Sequence, residues 1–280
     1  VASRLAPTAN RVVGAEPGSL VRKAVEGVDL IFHLAALVSV PESMSKPSEC
    51  VDINVHGLLN VLEEASAAKV RKLVFASSAA IYGDNPTVPK IESMLPEPKS
   101  PYAITKLDGE YYLDMFRREG RLETAAIRFF NVFGPKQRPD HEYAAVLPKW
   151  IWKAMNDEAI DVYGDGSQTR DFTYVRTVLD VIEDAINRGV RTEGAVNLAY
   201  GNRISLLTTI ELLKGHFPDL KVNFLGDRPG DVKNSQNDPV ILKELFPNIA
   251  PTEFPTAFSE TVNWLKEFGQ SVTNGPATVD

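Results

Sequence analysis

The sequence has a single cysteine, Cys50, no long apolar run and no excess of positive charge. One thiol excludes an internal disulfide and agrees with a reducing compartment, and a bilayer span needs about 18 consecutive apolar residues. A net charge of −7 excludes the general basic field that holds nucleic acid. We therefore expect a cytoplasmic globular protein whose partners include neither a membrane nor a nucleic acid.

Two further patterns are missing. No glycine-rich phosphate turn of the form G-x-G-x-x-G precedes the first predicted strand, although a complete dinucleotide-binding half begins with a strand, that turn and a helix. We expect the first strand–helix unit or units of such a half to be absent from this sequence. The histidines have no partner at metal-ligand spacing, so no metal site is predicted, and His33, among apolar residues, is predicted to be a packed core histidine.

What the sequence does contain is an alternation of buried strands and helices. Near-continuous apolar runs are typical of strands buried on both faces of a parallel sheet, and they occur at 28–36, 71–83 and 123–135. Helical periodicity covers 51–69 and a second segment from Tyr102 to about Glu119, which Ser100 caps and Pro101 starts. This alternation predicts an α/β fold with a Rossmann-like, doubly wound parallel sheet.

After residue 135 the pattern changes to short elements separated by prolines, which we interpret as a smaller C-terminal α/β lobe. The dinucleotide-binding domain is predicted at 1–145 and also takes in about 172–200. The substrate-binding lobe is predicted at 146–171 and 201–270. The remainder, 271–280, is predicted to be a flexible tail.

A tyrosine and a lysine four residues apart begin the second predicted helix, directly after a strand that ends in Ser77 and Ser78. Residues four apart share a helix face, so Tyr102 and Lys106 can present their polar ends to one site. A neighbouring ammonium stabilises a phenolate and would make Tyr102 a base near neutral pH. Ser78, at the carboxyl end of its strand, could share the proton.

Six ordered motifs extend this pattern: DLIFHLAA (29–36), FASSAAIYGD (75–84), SPYAITK (100–106), RFFNVFGP (128–135), YGDGSQTRDF (163–172) and RPGDV (228–232). With them the chain resembles the UDP-glucose 4-epimerase family of the extended short-chain dehydrogenases. It is most similar to the subgroup that acts on UDP-N-acetylglucosamine. The resemblance implies NAD as cofactor, a UDP-sugar as substrate, and a homodimer paired through the helices at about 51–69 and 102–119.

The resemblance implies a role for each matched residue. Tyr102 would be the catalytic base, Lys106 would hold the nicotinamide ribose, and Ser78 would bind the sugar O4. The cofactor would be bordered by Ala35, Ala36, Asn54, Ser77, Tyr102 and Lys106. The diphosphate would meet Asn131, Arg170 and Arg228, the uridine ribose Asp231, and the uracil Val162 and Tyr163. The sugar pocket would be lined by Ser39, Gln137, Ala145 and Ser235.

The reaction that the resemblance implies is inversion at C4 through a transient 4-keto sugar and enzyme-bound NADH. A related dehydratase needs an Asp-Glu pair where this chain has Ala79 and Ala80, so epimerisation is favoured over elimination. Ser235 stands where a bulkier residue would exclude an N-acetyl group, so UDP-GlcNAc is expected to be accepted beside UDP-glucose. Another nucleotide-sugar decarboxylase or reductase, or an inactive nucleotide-sugar-binding protein, remains as an alternative.

Overall fold

The computed structural model describes residues 17–139, 145–227 and 233–274. These residues form two compact units. The first unit comprises the described residues through Gly83 together with Leu95–Arg128 and Arg191–Val196. The second comprises Asp84–Met94, Phe129–Val190 and the described residues from Asn197 onward.

The elements alternate between helix and strand, as the sequence predicted. In the first part of the chain they are α1 (Pro17–Val25), β1 (Leu30–His33), α2 (Val40–Ser45), α3 (Pro47–Val51), a π-helical turn (Asp52–His56), α4 (Gly57–Ala67), β2 (Lys72–Ser78), a 3-10 turn (Ala79–Tyr82), α5 (Pro101–Arg118) and β3 (Glu123–Phe129). Strands β1 and β2 are parallel, with Leu30 opposite Lys72 and His33 opposite Phe75. The Rossmann-like fold class is confirmed.

The later elements are shorter. They are β4 (Val132–Phe133), α6 (Val146–Met155), β5 (Ile160–Tyr163), β6 (Thr169–Arg170), β7 (Thr173–Tyr174), α7 (Val175–Arg188), β8 (Val196–Leu198), β9 (Ile204–Ser205), α8 (Leu206–His216), β10 (Val222–Leu225), α9 (Val240–Leu245) and α10 (Phe254–Asn274). The largest sheet has the order β1–β2–β3–β8, and β8 begins with Val196 of the first unit. Three smaller sheets pair β10 with β5, β4 with β7, and β6 with β9.

Three predicted elements end earlier than their apolar runs suggested. Strand β1 stops at His33, and the following residues form a loop that leads to the N-cap of α2. Strand β2 stops at Ser78, because the Ser78 hydroxyl accepts a hydrogen bond from the Ala80 amide and starts a 3-10 turn. Strand β3 stops at Phe129, shortly before Asn131, which has a left-handed φ of 30°. Residues that looked like continued strand therefore form the loops where a site can be built.

The core of the first unit packs α4 and α5 against β2. Its buried members include Leu58, Leu62, Leu73, Phe75, Leu113 and Phe116. Helix α5 approaches β2 closely because Gly109 has no side chain: a Cβ there would lie only 2.6 Å from Cζ of Phe75. This close contact fixes the distance between the start of α5 and the end of β2.

The second unit has its own aromatic core. Phe172 stacks on Phe254 at 5.3 Å between ring centroids, and Phe133 lies 5.5 Å from Phe254. In the described part of the chain, no helix is both long and apolar enough to cross a membrane. The same residues contain no cluster of three or more His, Cys, Asp or Glu side chains arranged to hold a metal ion.

Candidate active site

Helix α5 positions the predicted catalytic pair. The Ser100 hydroxyl accepts a hydrogen bond from the Ala103 amide at 3.2 Å and caps the helix, and Pro101 occupies its first turn. Tyr102 and Lys106 therefore follow within the first two turns. Both face the carboxyl end of β2, where Ser78 is the last strand residue. The structure thus brings together the three residues predicted to be catalytic.

The Ser78 hydroxyl lies beside the Tyr102 phenol, close enough to act on its pKa. Burial raises the pKa of Tyr102, and the Ser78 hydroxyl offsets part of that rise. The expectation that the pKa of Tyr102 falls toward neutrality is wrong for the protein alone, because removal of water from around the phenol raises it. At neutral pH the phenol is protonated, and further positive charge is needed before it can act as a base.

Lys106 is a buried cation, only 3% exposed. Its ammonium donates a hydrogen bond to the Ala76 carbonyl at 2.7 Å and lies 4.8 Å from the centre of the Phe75 ring. It is 5.7 Å from the centre of the Tyr102 ring. Burial lowers the pKa of Lys106 to about 8. An ammonium has three N–H donors, so Lys106 suits a ligand that offers hydroxyl oxygens, such as the ribose of a dinucleotide.

The loop after β1 lies at the same sheet edge, because β1 and β2 are parallel and the carboxyl ends of parallel strands share an edge. It carries two of the residues predicted to border NAD, the exposed Ala35 and the half-buried Ala36. Their side chains are small enough to let a cofactor approach the backbone. Ser39 follows, and its hydroxyl accepts from the Glu42 amide at 3.1 Å as the N-cap of α2.

Asn54 joins this loop to α5. Its amide oxygen accepts from the Leu37 N–H at 2.7 Å, and its amide nitrogen donates to the Leu37 carbonyl at 3.1 Å and to the Thr105 hydroxyl at 2.9 Å. These contacts occupy the Asn54 side chain within the protein. The structure therefore assigns Asn54 to holding the loop in place, and direct contact with NAD stays a prediction.

Ser77 also has its side chain occupied. It is 2% exposed, and its hydroxyl donates to the Glu110 carboxylate at 2.5 Å. Any cofactor contact at this position would come from the backbone. Sequence reasoning missed Glu110, although it follows Lys106 by four residues on the face of α5 that carries Tyr102.

His33 is a packed residue, as predicted. Its ring stacks on Phe75 with 6.0 Å between centroids. Burial, with a smaller contribution from the Lys106 charge, lowers the pKa of His33 to about 4. The imidazole is therefore neutral at pH 7.

In the second unit, three predicted ligand residues are arranged around the β6–β7 turn. The Arg170 guanidinium donates to the Thr169 carbonyl at 3.0 Å, and the Asn131 amide donates to the Asp171 carbonyl at 3.3 Å. The Ser235 amide donates to the Thr169 carbonyl at 3.1 Å. Roles for these side chains in binding a nucleotide sugar stay predictions.

Asp171, which sequence reasoning did not single out, is the buried anchor of this region. Its carboxylate accepts from the backbone amides of Gly201, Asn202 and Asn237 at 2.9–3.1 Å. Burial raises the pKa of Asp171 to about 6, although these three hydrogen bonds act against the rise. The segment that carries Ser235 is thus attached to the Arg170 strand through backbone and carboxylate contacts.

The remaining predicted ligand residues have different surroundings. Val162 is fully buried in the core of the second unit, so its side chain is a packing residue, and its expected place beside the uracil stays a prediction. Its neighbour Tyr163 is 41% exposed. Gln137 donates to the Val132 carbonyl at 3.4 Å, and Ala145 is exposed at the start of α6. The two other predicted ligand residues, Arg228 and Asp231, lie outside the described residues.

Comparison with known proteins gives a family match. Residues 15–199 match the profile of the NAD dependent epimerase/dehydratase family. The chain is 35% identical over 188 residues to a putative UDP-glucose 4-epimerase of Methanocaldococcus jannaschii, covering 67% of this chain and 60% of that protein. It is 33% identical over 251 residues to UDP-glucose 4-epimerase of Mycolicibacterium smegmatis, covering 86% of this chain and 77% of that protein.

A solved structure agrees with this match. The UDP-N-acetylglucosamine 4-epimerase of Methanobrevibacter ruminantium M1, in complex with UDP-N-acetylmuramic acid, superposes with a TM-score of 0.83 at 35% identity, covering 89% of this chain and 80% of that one. Similar proteins also include a UDP-N-acetyl-alpha-D-glucosaminuronate decarboxylase of Bacillus cytotoxicus and an NAD-dependent NDP-hexosamine 5,6-dehydratase. MoeE5, 29% identical with a TM-score of 0.80, was solved with UDP-glucuronic acid and NAD. The similar proteins thus act on nucleotide sugars but do not share one reaction.

Proposed function

This chain belongs to the NAD-dependent epimerase/dehydratase family, and on that premise we propose that it interconverts UDP-hexoses at C4. The proposed pairs are UDP-glucose with UDP-galactose and UDP-GlcNAc with UDP-GalNAc. The observation that carries the proposal is that the Ser78 hydroxyl and the Tyr102 phenol lie together beside the buried Lys106 ammonium. Acid–base chemistry at a sugar hydroxyl needs a proton acceptor of this kind.

NAD is the cofactor, and when bound it supplies a hydride acceptor that carries positive charge and later returns the hydride. Lys106 would hold its ribose, and the small side chains of Ala35 and Ala36 leave the backbone open to it. Added positive charge favours phenolate, which offsets the rise in the Tyr102 pKa caused by burial.

In the proposed reaction Tyr102 accepts the proton of the C4 hydroxyl as that carbon is oxidised. Ser78 donates a hydrogen bond that holds the C4 oxygen and the phenol together. Tyr102 then returns the same proton to the oxygen when C4 is reduced from the other face. Tyr102 therefore begins and ends each turnover in the same protonation state, so the reaction needs no second acid or base.

Elimination of water is disfavoured by the residues after Ser78. Ala79 and Ala80 form the 3-10 turn there, and neither carries a carboxyl group that could move a proton at C5 or C6. This supports epimerisation over the dehydration carried out by one of the similar proteins.

The exposed apolar residues of α5 support the homodimer expected from the resemblance. Ile104, Tyr111 and Met115 are 39–62% exposed on that helix. We propose that a second copy covers them. Light scattering of the purified protein tests this, because a monomer at micromolar concentration contradicts the proposal.

The catalytic proposal is tested by product analysis. Purified protein supplied with NAD is incubated separately with UDP-glucose deuterated at C4 and with UDP-GlcNAc, and the products are separated chromatographically. We expect the galacto epimer from each, with deuterium retained at C4 and no net NADH. Loss of the label or net NADH would favour a reductase. Carbon dioxide released in a parallel incubation with UDP-glucuronate would favour a decarboxylase, and binding without conversion would favour an inactive binding protein.

A further inference from the structure

A buried ion pair lies behind the Ser78–Tyr102 pair in the first unit. Glu110 and Arg128 are joined by two hydrogen bonds of 2.8 and 2.9 Å, and both side chains are less than a tenth exposed. The same carboxylate accepts from the Ser77 hydroxyl, and the Arg128 guanidinium donates to the Tyr82 hydroxyl at 2.7 Å. One ion pair therefore connects α5, β3, the end of β2 and the 3-10 turn.

Ser77 and Tyr82, the two residues that the ion pair contacts, lie on either side of Ser78 in the sequence. Ser77 precedes it, and Tyr82 ends the 3-10 turn that Ser78 begins. Both are attached to the same ion pair, so the backbone of Ser78 is held from either side. Small displacements of Ser78 along the strand are thereby resisted.

Helix α5 contacts the end of β2 through three evenly spaced polar residues. Tyr102, Lys106 and Glu110 are each four residues apart on one face of α5. In that order they contact Ser78, the Ala76 carbonyl and Ser77. The polar contacts occur at three successive turns, and the Glu110 contact is the one anchored by a second charged residue.

The ion pair is a poor device for stability alone. Replacing a buried ion pair by apolar residues of similar volume is often neutral or stabilising, because two charges must be removed from water. A role in geometry accounts better for its position. We propose that the Glu110–Arg128 pair is a positioning device that holds the Ser78 hydroxyl in place beside the Tyr102 phenol; its catalytic consequence rests on the proposed epimerase function.

The test must separate positioning from folding. Removing either charge alone leaves the other buried and unpaired, so the primary variant is Glu110→Met with Arg128→Met. The matched control is Asp114→Asn, on the same helix, where the carboxylate pairs with Arg117 and Arg118 near the surface. Melting temperature and UDP-sugar affinity are measured for both. Asp114→Asn is expected to match the parent in each, whereas the double variant is expected to keep the parental affinity and to melt at a lower temperature, because the buried Ser77 hydroxyl loses its Glu110 partner.

The first readout is steady-state epimerisation. We expect the double variant to lose at least about tenfold in kcat with KM within about twofold, since sub-ångström misplacement of reacting groups costs rate. The rising limb of its pH profile should also move to higher pH, because the effect of the Ser78 hydroxyl that favours the Tyr102 phenolate is weakened. Asp114→Asn should change neither.

The second readout does not need activity. In protein labelled at tyrosine ¹³Cζ, with Tyr102 assigned from Tyr102→Phe, the Tyr102 resonance and the pH at which it begins to titrate should shift in the double variant and not in the control. If the Tyr102 resonance shifts in the double variant but the parent protein has no epimerase activity, the positioning role stands and the proposed function is refuted. A folded double variant with parental kcat, pH profile and resonance overturns the inference. Should that variant not fold, Ser77→Ala decides by the same two readouts.

Discussion

Lys106→Met removes a charge that the folded protein holds in a buried place. Burial lowers the Lys106 pKa from 10.5 to about 8, and at about 1.4 kcal/mol per pKa unit the charged lysine costs the fold about 3 kcal/mol at neutral pH. Methionine loses the hydrogen bond to the Ala76 carbonyl, which is worth about 1 kcal/mol. We therefore expect the variant to be more stable by about 2 kcal/mol and to lose the proposed epimerase activity.

The stability difference between Lys106→Met and the parent should depend on pH in a definite direction. Below pH 8 the lysine is protonated in the folded and unfolded states, and the whole cost is present. Between pH 8 and about 10.5 the folded protein releases the proton first, so the unfolded state binds more protons and the parent gains stability with rising pH. The advantage of Lys106→Met should therefore shrink through this window and be close to zero near pH 10.

Urea unfolding followed by far-ultraviolet circular dichroism at pH 7.5 and pH 10 measures both quantities. Fluorescence is unsuitable, because all three tryptophans (Trp150, Trp152 and Trp264) belong to the second unit. Amide hydrogen exchange of α5 at pH 7.5 assigns the gain to the first unit. Lys23→Met, which makes the same substitution at an exposed position on α1, is the control. A less stable Lys106→Met, or a difference that is the same at both pH values, refutes the reasoning.

Three other substitutions are predicted to act differently. Burial raises the pKa of Tyr102 and the neighbouring Ser78 hydroxyl lowers it, so Ser78→Ala should move the rising limb of the kcat–pH profile to higher pH, and an unmoved limb would contradict this. Asn54→Leu removes the side-chain partner of the Leu37 N–H and carbonyl, and it should lower the free energy of unfolding by about 2–4 kcal/mol in urea titration. A loss below about 1 kcal/mol would contradict the role of Asn54 in holding the loop after β1. Ser235→Tyr should abolish turnover of UDP-GlcNAc and spare that of UDP-glucose, and equal loss on both sugars would remove position 235 from the sugar site.

The parts of the site that the sequence predicted are local ones. Ser100 and Pro101 define the start of α5, and the four-residue spacing of Tyr102 and Lys106 then determines which face they share. The strand before Ser78 was visible because it is apolar on both faces. Each of these signals lies within a few consecutive residues.

The parts that sequence reasoning missed depend on partners distant in the chain. Glu110 looks like an ordinary helix surface residue until β3 supplies Arg128, 18 residues later. Asp171 gains its importance from amides at 201, 202 and 237, which no local pattern links to it. The burial of Val162 likewise follows from packing within the second unit. The raised pKa of Tyr102 was missed for the same reason: the spacing of Tyr102 and Lys106 in the sequence indicates a nearby charge, but not that the fold buries the phenol away from water.

Tyr102→Phe removes one oxygen atom and tests whether the Tyr102 phenol carries the C4 proton. The measurement is kcat for epimerisation of UDP-glucose and of UDP-GlcNAc in NAD-loaded protein, with UDP-sugar affinity measured on the same samples. Loss of a positioned acid–base group predicts a fall of at least about 100-fold on both sugars with affinity unchanged. Epimerisation by Tyr102→Phe at the parental rate would contradict the account.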